Sequence, residues 1–271
     1  MKRLLAAAAA GLLTLAAYAA DPVAFVADIT GNAAIEGVGK LNFLAELKAG
    51  TRLMLGTGAT VAVTYAASGT EYTARGPGEF LVGPAEVKAE KGAAPTKRVV
   101  TSVLDKAVIA RVSQTATASV RMRSVPVDSP KGALQYPVNT RVTTLQPVLL
   151  IRGEAPDGAE VRITDAGGKD VWKGALKQGT LKPSVKLSPA TRYRWTVMTP
   201  KGSLGEAQFE TVGADALSKA ARSQASARSF SDRVMHAILL QELGATQEAR
   251  EAWAVLASER PDLPELAGLA R

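Results

Sequence analysis

Residues 47–87 constrain the fold of this chain more than any other stretch. The run LKAGTRLMLGTGATVAVTYAASGTEYTARGPGEFLVGPAEV sets apolar side chains in alternation, first Leu53 and Leu55, then Val61, Val63 and Tyr65. Gly50, Gly56-Thr57-Gly58, Ser68-Gly69 and Gly76-Pro77-Gly78 interrupt it at short intervals. Period-two patterning between closely spaced turns predicts short strands folding back on one another, a β-meander. The stretch holds no His, no Cys and no paired carboxylates, and Gly56/Gly58 lack the third glycine and the helix of a phosphate-binding loop.

The succession of signals resembles the FecR-type periplasmic domain, named for the iron-citrate signal regulator of Gram-negative bacteria. The residues that carry the resemblance are Leu47-Lys48-Ala49-Gly50, Gly56-Thr57-Gly58-Ala59, the alternating run 61–65, Ser68-Gly69-Thr70 and Gly76-Pro77. It implies a small β domain over residues 20–95, opened by a hairpin of 23–29 and 33–35 around Thr30-Gly31-Asn32. It also raises a role in envelope signalling. FecR regulators place a cytoplasmic segment against a sigma factor, whereas only Met1 to Arg3 precede the apolar run here, too few for that contact.

That apolar run is a targeting signal. Met1-Lys2-Arg3 is basic, residues 4–15 are apolar, and Ala17-Tyr18-Ala19 offers small residues before a cut. This is the layout of a secretory signal peptide over residues 1–19, with an uncleaved membrane anchor as the alternative. The chain has no cysteine, so a lipid-anchored lipoprotein, disulfides, thiol catalysis and Cys-bound zinc are excluded. The expectation is a periplasmic protein.

The net charge of +8 is unevenly placed. Lys2 and Arg3 supply two of it; the eight basic residues between 96 and 141, against Asp105 and Asp128, supply the rest. Residues 96–134 read as a basic linker, in which 103–112 could form a helical turn or two and 115–127, rich in Ser, Thr, Val and Arg with prolines at Pro126 and Pro130, reads as extended. Lys97, Arg98, Arg121 and Arg123 are its candidate contacts to an anionic glycan or lipid headgroup, the alternative being a solvated linker. Without aromatic interleaving, nucleic acid is not an expected partner.

Residues 135–213 alternate strand candidates (141–152, 159–164, 169–172, 184–187, 192–197, 206–212) with turn signals such as Pro156-Asp157-Gly158 and Ala166-Gly167-Gly168. Spacing of this kind suggests an antiparallel sandwich. Leu187-Ser188-Pro189-Ala190-Thr191-Arg192-Tyr193 resembles the tyrosine corner of fibronectin type III and related immunoglobulin-like domains. The resemblance implies that the Tyr193 ring packs in the core while its hydroxyl reaches a backbone group upstream, with Trp195 on the same face.

Residues 214–271 read as helical. The spacing Ala237, Leu240, Gly244, Ala249, Trp253, Leu256, Pro261 resembles one tetratricopeptide repeat, with a weaker helix before it and Leu263, Leu266 and Leu269 in a short helix after. One helix pair has no neighbouring repeats to cover both sides; what stays uncovered must pack on the sandwich, on a second copy of the chain or on an envelope protein, and Trp253, Leu256, Leu263 and Leu266 are the candidate partner surface. His236 and Asp232, one turn apart, could pair, but no nucleophile motif is near; Glu248/Glu251 reads as a solvated helix face. The expected fold is mainly β with a small α C-terminal part: a FecR-like β domain, an immunoglobulin/fibronectin III-like sandwich and a helical hairpin. The expected function is a non-enzymatic periplasmic adaptor or binding protein without cofactors. The rival readings are envelope signal transduction and an enzyme acting on envelope glycans.

Overall fold

The computed structural model describes residues 21–65, 67–100, 113–114, 133–154, 156, 158–176 and 178–271. The described chain is mainly β, with four helices gathered at the C-terminal end. The expected signal segment and most of the expected basic linker, with Arg121 and Arg123, lie outside the described residues.

The first β unit is a sandwich of two five-stranded sheets. One runs β10 (Thr96–Val99), β7 (Thr70–Arg75), β6 (Thr60–Tyr65), β1 (Pro22–Thr30), β4 (Glu46–Lys48). The other runs β3 (Gly39–Lys40), β2 (Ala33–Ile35), β5 (Arg52–Leu55), β8 (Gly78–Val82), β9 (Val87–Lys91). Phe25, Leu47, Leu53, Val61, Val63 and Phe80 fill the space between them, each no more than 1% exposed.

This corrects the meander. β1 and β2 do not pair as a hairpin; β1 pairs with β4 and β6, and β2 with β3 and β5. Of the glycine turns, Ser68-Gly69 joins neighbours β6 and β7, whereas Gly56-Thr57-Gly58 and Gly76-Pro77 carry the chain from one sheet to the other. The two crossings meet. Gly76 donates its N–H to Ala59 O at 2.8 Å, and a Cβ on Gly76 would fall 2.0 Å from Gly56 O. Backbone at that range leaves no room for a side chain, which is why glycine stands there.

The second β unit is also a sandwich. Its three-stranded sheet runs β11 (Leu134–Tyr136), β13 (Leu149–Ile151), β16 (Thr180–Leu181). Its five-stranded sheet runs β12 (Thr140–Val142), β18 (Gly202–Thr211), β17 (Arg192–Thr199), β14 (Glu160–Asp165), β15 (Asp170–Ala175). The single strand expected over 141–152 is two, in different sheets, with Pro147 between them: proline cannot donate to a ladder, and the chain changes sheets there. Residues 184–187 form no strand; Thr180–Leu181 pairs with β13 instead.

Tyr193 is 3% exposed and its ring stacks with Phe209 at 5.6 Å. Its hydroxyl accepts the Ser188 N–H at 2.8 Å. Trp195, fully buried, donates from Nε1 to Pro137 O at 2.8 Å. Tyr193→Phe leaves the Ser188 N–H without that acceptor. It should lower stability by about 1–2 kcal/mol in urea unfolding; an unchanged midpoint would show that the hydroxyl braces nothing.

The C-terminal segment forms α1 (Ala214–Ser226), α2 (Phe230–Glu242), α3 (Thr246–Glu259) and α4 (Pro264–Leu269). Ser229 caps α2 by accepting the Asp232 N–H, and Asp232 accepts the Ser229 N–H in return. Gly244, at φ 75°, makes the turn from α2 to α3. Pro264 opens α4, where its missing N–H costs nothing.

Candidate functional site

The expected partner surface is occupied from within. Trp253, Leu256, Leu263 and Leu266 are 0%, 1%, 7% and 0% exposed. With Val234, Ile238 and Leu269 they belong to the same apolar core as Phe25, Val26, Phe43 and Leu44 of the first β unit. The rings of Phe43 and Phe230 lie 6.2 Å apart across this joint. The helices needed a cover for their second apolar side, and the first β unit supplies it, so these four residues are not a free docking face.

Two arginines fasten the joint. Arg98, expected to lie in the linker, sits on β10 and donates from Nε to Glu71 at 2.6 Å, from Nη1 to Asp232 at 2.7 Å, and from Nη2 to Ser229 and Ser231 at 3.0 and 2.9 Å. It is therefore spent inside the chain and corrects the expectation of an anionic-surface contact. Lys97, its exposed neighbour, places Nζ 5.8 Å from the Tyr72 ring. Arg260 donates to Asp28 at 2.7 Å, to Ile29 O at 2.6 Å and to Asp262 at 2.8 Å, and lies 4.9 Å from the Phe230 ring. The Asp262 partner first, then Asp28, hold this guanidinium above its ordinary range against the effect of burial.

The opposite side of the helices holds the second β unit. Glu248, read as a solvated residue, accepts from the Tyr136 hydroxyl at 2.8 Å, from the Thr143 N–H at 3.0 Å and from the Thr143 hydroxyl. Gln247 accepts the Val138 N–H at 2.7 Å and donates to Gln135 O at 2.8 Å. Burial, and next the Glu248 carboxylate, keep the Tyr136 phenol protonated well above its usual range.

Between these contacts lies a cleft of about 820 Å³. The sandwich contributes Gln135, Tyr136, Gln146, Val148 and Leu150; the helices contribute Gln224, His236, Leu240, Glu251, Ala252 and Val255. Its polar lining joins amides and hydroxyls to His236, Glu248, Arg250 and Glu251, and a volume in this range suits a ligand of modest size.

His236 and Asp232 do not form a pair. Asp232 is turned to Ser229 and Arg98, while His236 Nδ1 lies 3.2 Å from Ser223 Oγ. Ser223 is 4% exposed, which closes it to a substrate. Burial pushes the His236 pKa below its ordinary value. The folded state then favours the neutral ring, so the stability it contributes is full above about pH 6.5 and is lost as pH falls through the folded value. His236→Gln should flatten the stability profile between about pH 7 and pH 5; a slope equal to the parent's would refute this.

The residues that sequence reasoning missed are Arg260, Glu248 and the amides of the cleft. Arg260 carries one signal, Asp262 two residues on, but its Asp28 partner is invisible in a linear reading. Among the described residues no group of three His, Cys, Asp or Glu could hold a metal ion, and no helix is long and apolar enough to cross a membrane.

No protein-family profile matches the chain. No curated protein matches it either. Among solved structures it is similar to CopC from Methylosinus trichosporium OB3b, at 21% identity and a TM-score of 0.24, over 31% of this chain and 95% of that one. At that score the likeness carries no argument.

Proposed function

We propose that this chain is a non-enzymatic adaptor or binding protein of the bacterial cell envelope, exported to the periplasm. In it a FecR-like β unit and a fibronectin type III-like sandwich are held in one frame by tetratricopeptide-like helices. The observation that carries the reading is the double fastening of the helices, by Arg98 and Arg260 to one β unit and by Glu248 to the other. Such a frame holds a cleft in a fixed shape, which lowers the entropic cost of binding. The fibronectin reading is supported by the three-plus-five strand order and by the Tyr193 hydroxyl on the Ser188 N–H. The basic start, apolar run and Ala17-Tyr18-Ala19 favour export.

Fractionation and binding test this directly. The mature chain is expected in the periplasmic fraction with Ala20 as its first residue. Purified, it should retain an envelope component without changing it chemically. Release of fragments from peptidoglycan or from an envelope glycan would replace this reading with an enzyme.

A further inference from the structure

Three of the four helices put side chains into an apolar core. α2 supplies Val234 and Ile238, α3 supplies Trp253 and Leu256, and α4 supplies Leu266 and Leu269. α1 supplies none among the described residues: of its thirteen residues only Ala220 and Ser223 are buried, and neither joins a core. Two side-chain contacts tie it to α2. Lys219 pairs with Glu242 at 3.4 Å, and Ser223 Oγ lies 3.2 Å from His236 Nδ1. Gly213, at its N-cap, offers no side chain to cap it. Helices in proteins are held mainly by the packing of an apolar face, so α1 is the least firmly held of the four.

What α1 lies against is the only histidine of the sequence. His236 is 9% exposed, beside the cleft and against Ser223. The ionisable groups around it are engaged elsewhere or open to water. On its own helix, Asp232, Arg233 and Glu242 are turned to Arg98, Glu259 and Lys219. On α1, Arg222 is exposed beside Ser223. On α3, Glu248 is taken by Tyr136 and Thr143, while Arg250 and Glu251, opposite in sign, are both exposed. The sandwich faces the cleft with the protonated Tyr136 phenol. Burial alone therefore shifts the ring, with no neighbouring charge contributing. An imidazolium formed in this position is out of water and has no carboxylate to pair it.

Wetting the ring by moving α2 or α3 would open the core around Trp253; moving α1 opens none. We propose that α1 is an acid-released latch on the cleft, closed on α2 while His236 is neutral and lifted when the ring takes up a proton. In the lifted position the ring is hydrated and titrates near its ordinary value of about 6.5. The closed position is favoured in full above that value and loses ground as pH falls through it toward the lower closed-state value. With α1 lifted, Gln224 leaves the lining of the cleft, and the His236 ring and Leu240 face water. The frame of α2, α3 and the two β units stays as it is. The use of the latch rests on the reading of the cleft as a binding site, whereas its release does not, so the two can fail separately.

The test is amide hydrogen exchange of the full mature chain at about pH 7.5 and about pH 5.5, each rate corrected for the intrinsic effect of pH. Protection of the α1 amides should fall by about threefold to tenfold at the lower pH, the upper figure holding if the closed ring stays neutral throughout. Amides of α2 and α3 should change less, and His236→Gln should remove the difference. A second measurement reads the ring itself. Ala220, 3% exposed, lies in the α1 contact, and Ala220→Glu places a charge there that lifts α1. The single histidine resonance should then titrate closer to about pH 6.5 than in the parent. Equal α1 protection at the two pH values overturns the proposal. So does a loss shared equally by α2 and α3, which would place the histidine in global unfolding alone, or a loss that persists in His236→Gln. A histidine titration unmoved by Ala220→Glu overturns it as well.

Discussion

Trp253→Ala should lower the unfolding free energy by about 3–5 kcal/mol, the range for truncating a buried aromatic in a core that cannot collapse around the gap. The side chain is fully buried where α3 meets the first β unit, so the gap opens between elements from opposite ends of the chain. Against a typical domain stability of about 5–15 kcal/mol this is a large fraction. The indole carries a second handle. Its Nε1 is buried without a hydrogen-bond partner among the described residues, and such a donor costs about 1–3 kcal/mol. Trp253→Phe removes that cost along with some volume and should lose less than half as much as the Ala variant. Urea unfolding of both variants checks the pair of numbers; a Phe variant that loses as much as the Ala variant would show that the loss does not follow the volume removed and that relief of the orphan donor contributes nothing.

Arg98→Met should cost about 2–4 kcal/mol. Methionine keeps much of the stem but leaves Glu71, whose side chain is 3% exposed, with Thr64 as its remaining side-chain partner, at 3.3 Å. Removing one member of a buried pair strands the other charge, typically at about 3–5 kcal/mol. The lower figure reflects the 38% exposure of Arg98, which lets water screen part of the loss. Adding Glu71→Gln should restore a good part, because the stranded charge is gone. A double variant no more stable than the single would show that the packing of the stem matters more than the charge.

The same site sets an acid limit. Burial raises the Asp232 carboxyl, but the Ser229 backbone and hydroxyl and the Arg98 guanidinium outweigh it and leave its pKa lowered. A lowered carboxylate stabilises the fold above its unfolded value of about 3.9, and that contribution is lost as pH falls through the folded value. Arg98→Met should shrink this part of the acid transition. An acid limb identical to the parent's would mean that the capping contacts alone hold the charge.

Local chemistry was legible in the sequence, and long-range pairing was not. The helical pattern around Ala249 and Trp253 led to α2 and α3, and the Leu187 to Tyr193 motif led to the buried ring with its hydroxyl on a backbone N–H. Both depend on neighbours within a few positions. Alternation in 53–65 marked which side chains point inward, but alternation is the same whether a glycine turn makes a hairpin or a crossing between sheets. The candidate surface at Trp253, Leu256, Leu263 and Leu266 failed for the same reason: their apolarity was evident, whereas their cover comes from strands some two hundred positions away. Arg98 and Asp232 are 134 positions apart, and Arg260 and Asp28 are 232 apart. No spacing rule reaches that far.

Those separations bear on the order of events as the chain is made. The strand that carries Asp28 and the turn that carries Phe43 and Leu44 are synthesised first, and the helices that cover them come last. The entropic cost of closing so long a loop grows only slowly with its length, but contacts of this range are late to form and slow to find. Until residues 214–271 arrive, the face around Phe43 and Leu44 is wet and apolar, the kind of surface on which nascent chains associate wrongly. A ribosome that stalls before α2 would therefore release a product that is sticky at its oldest end.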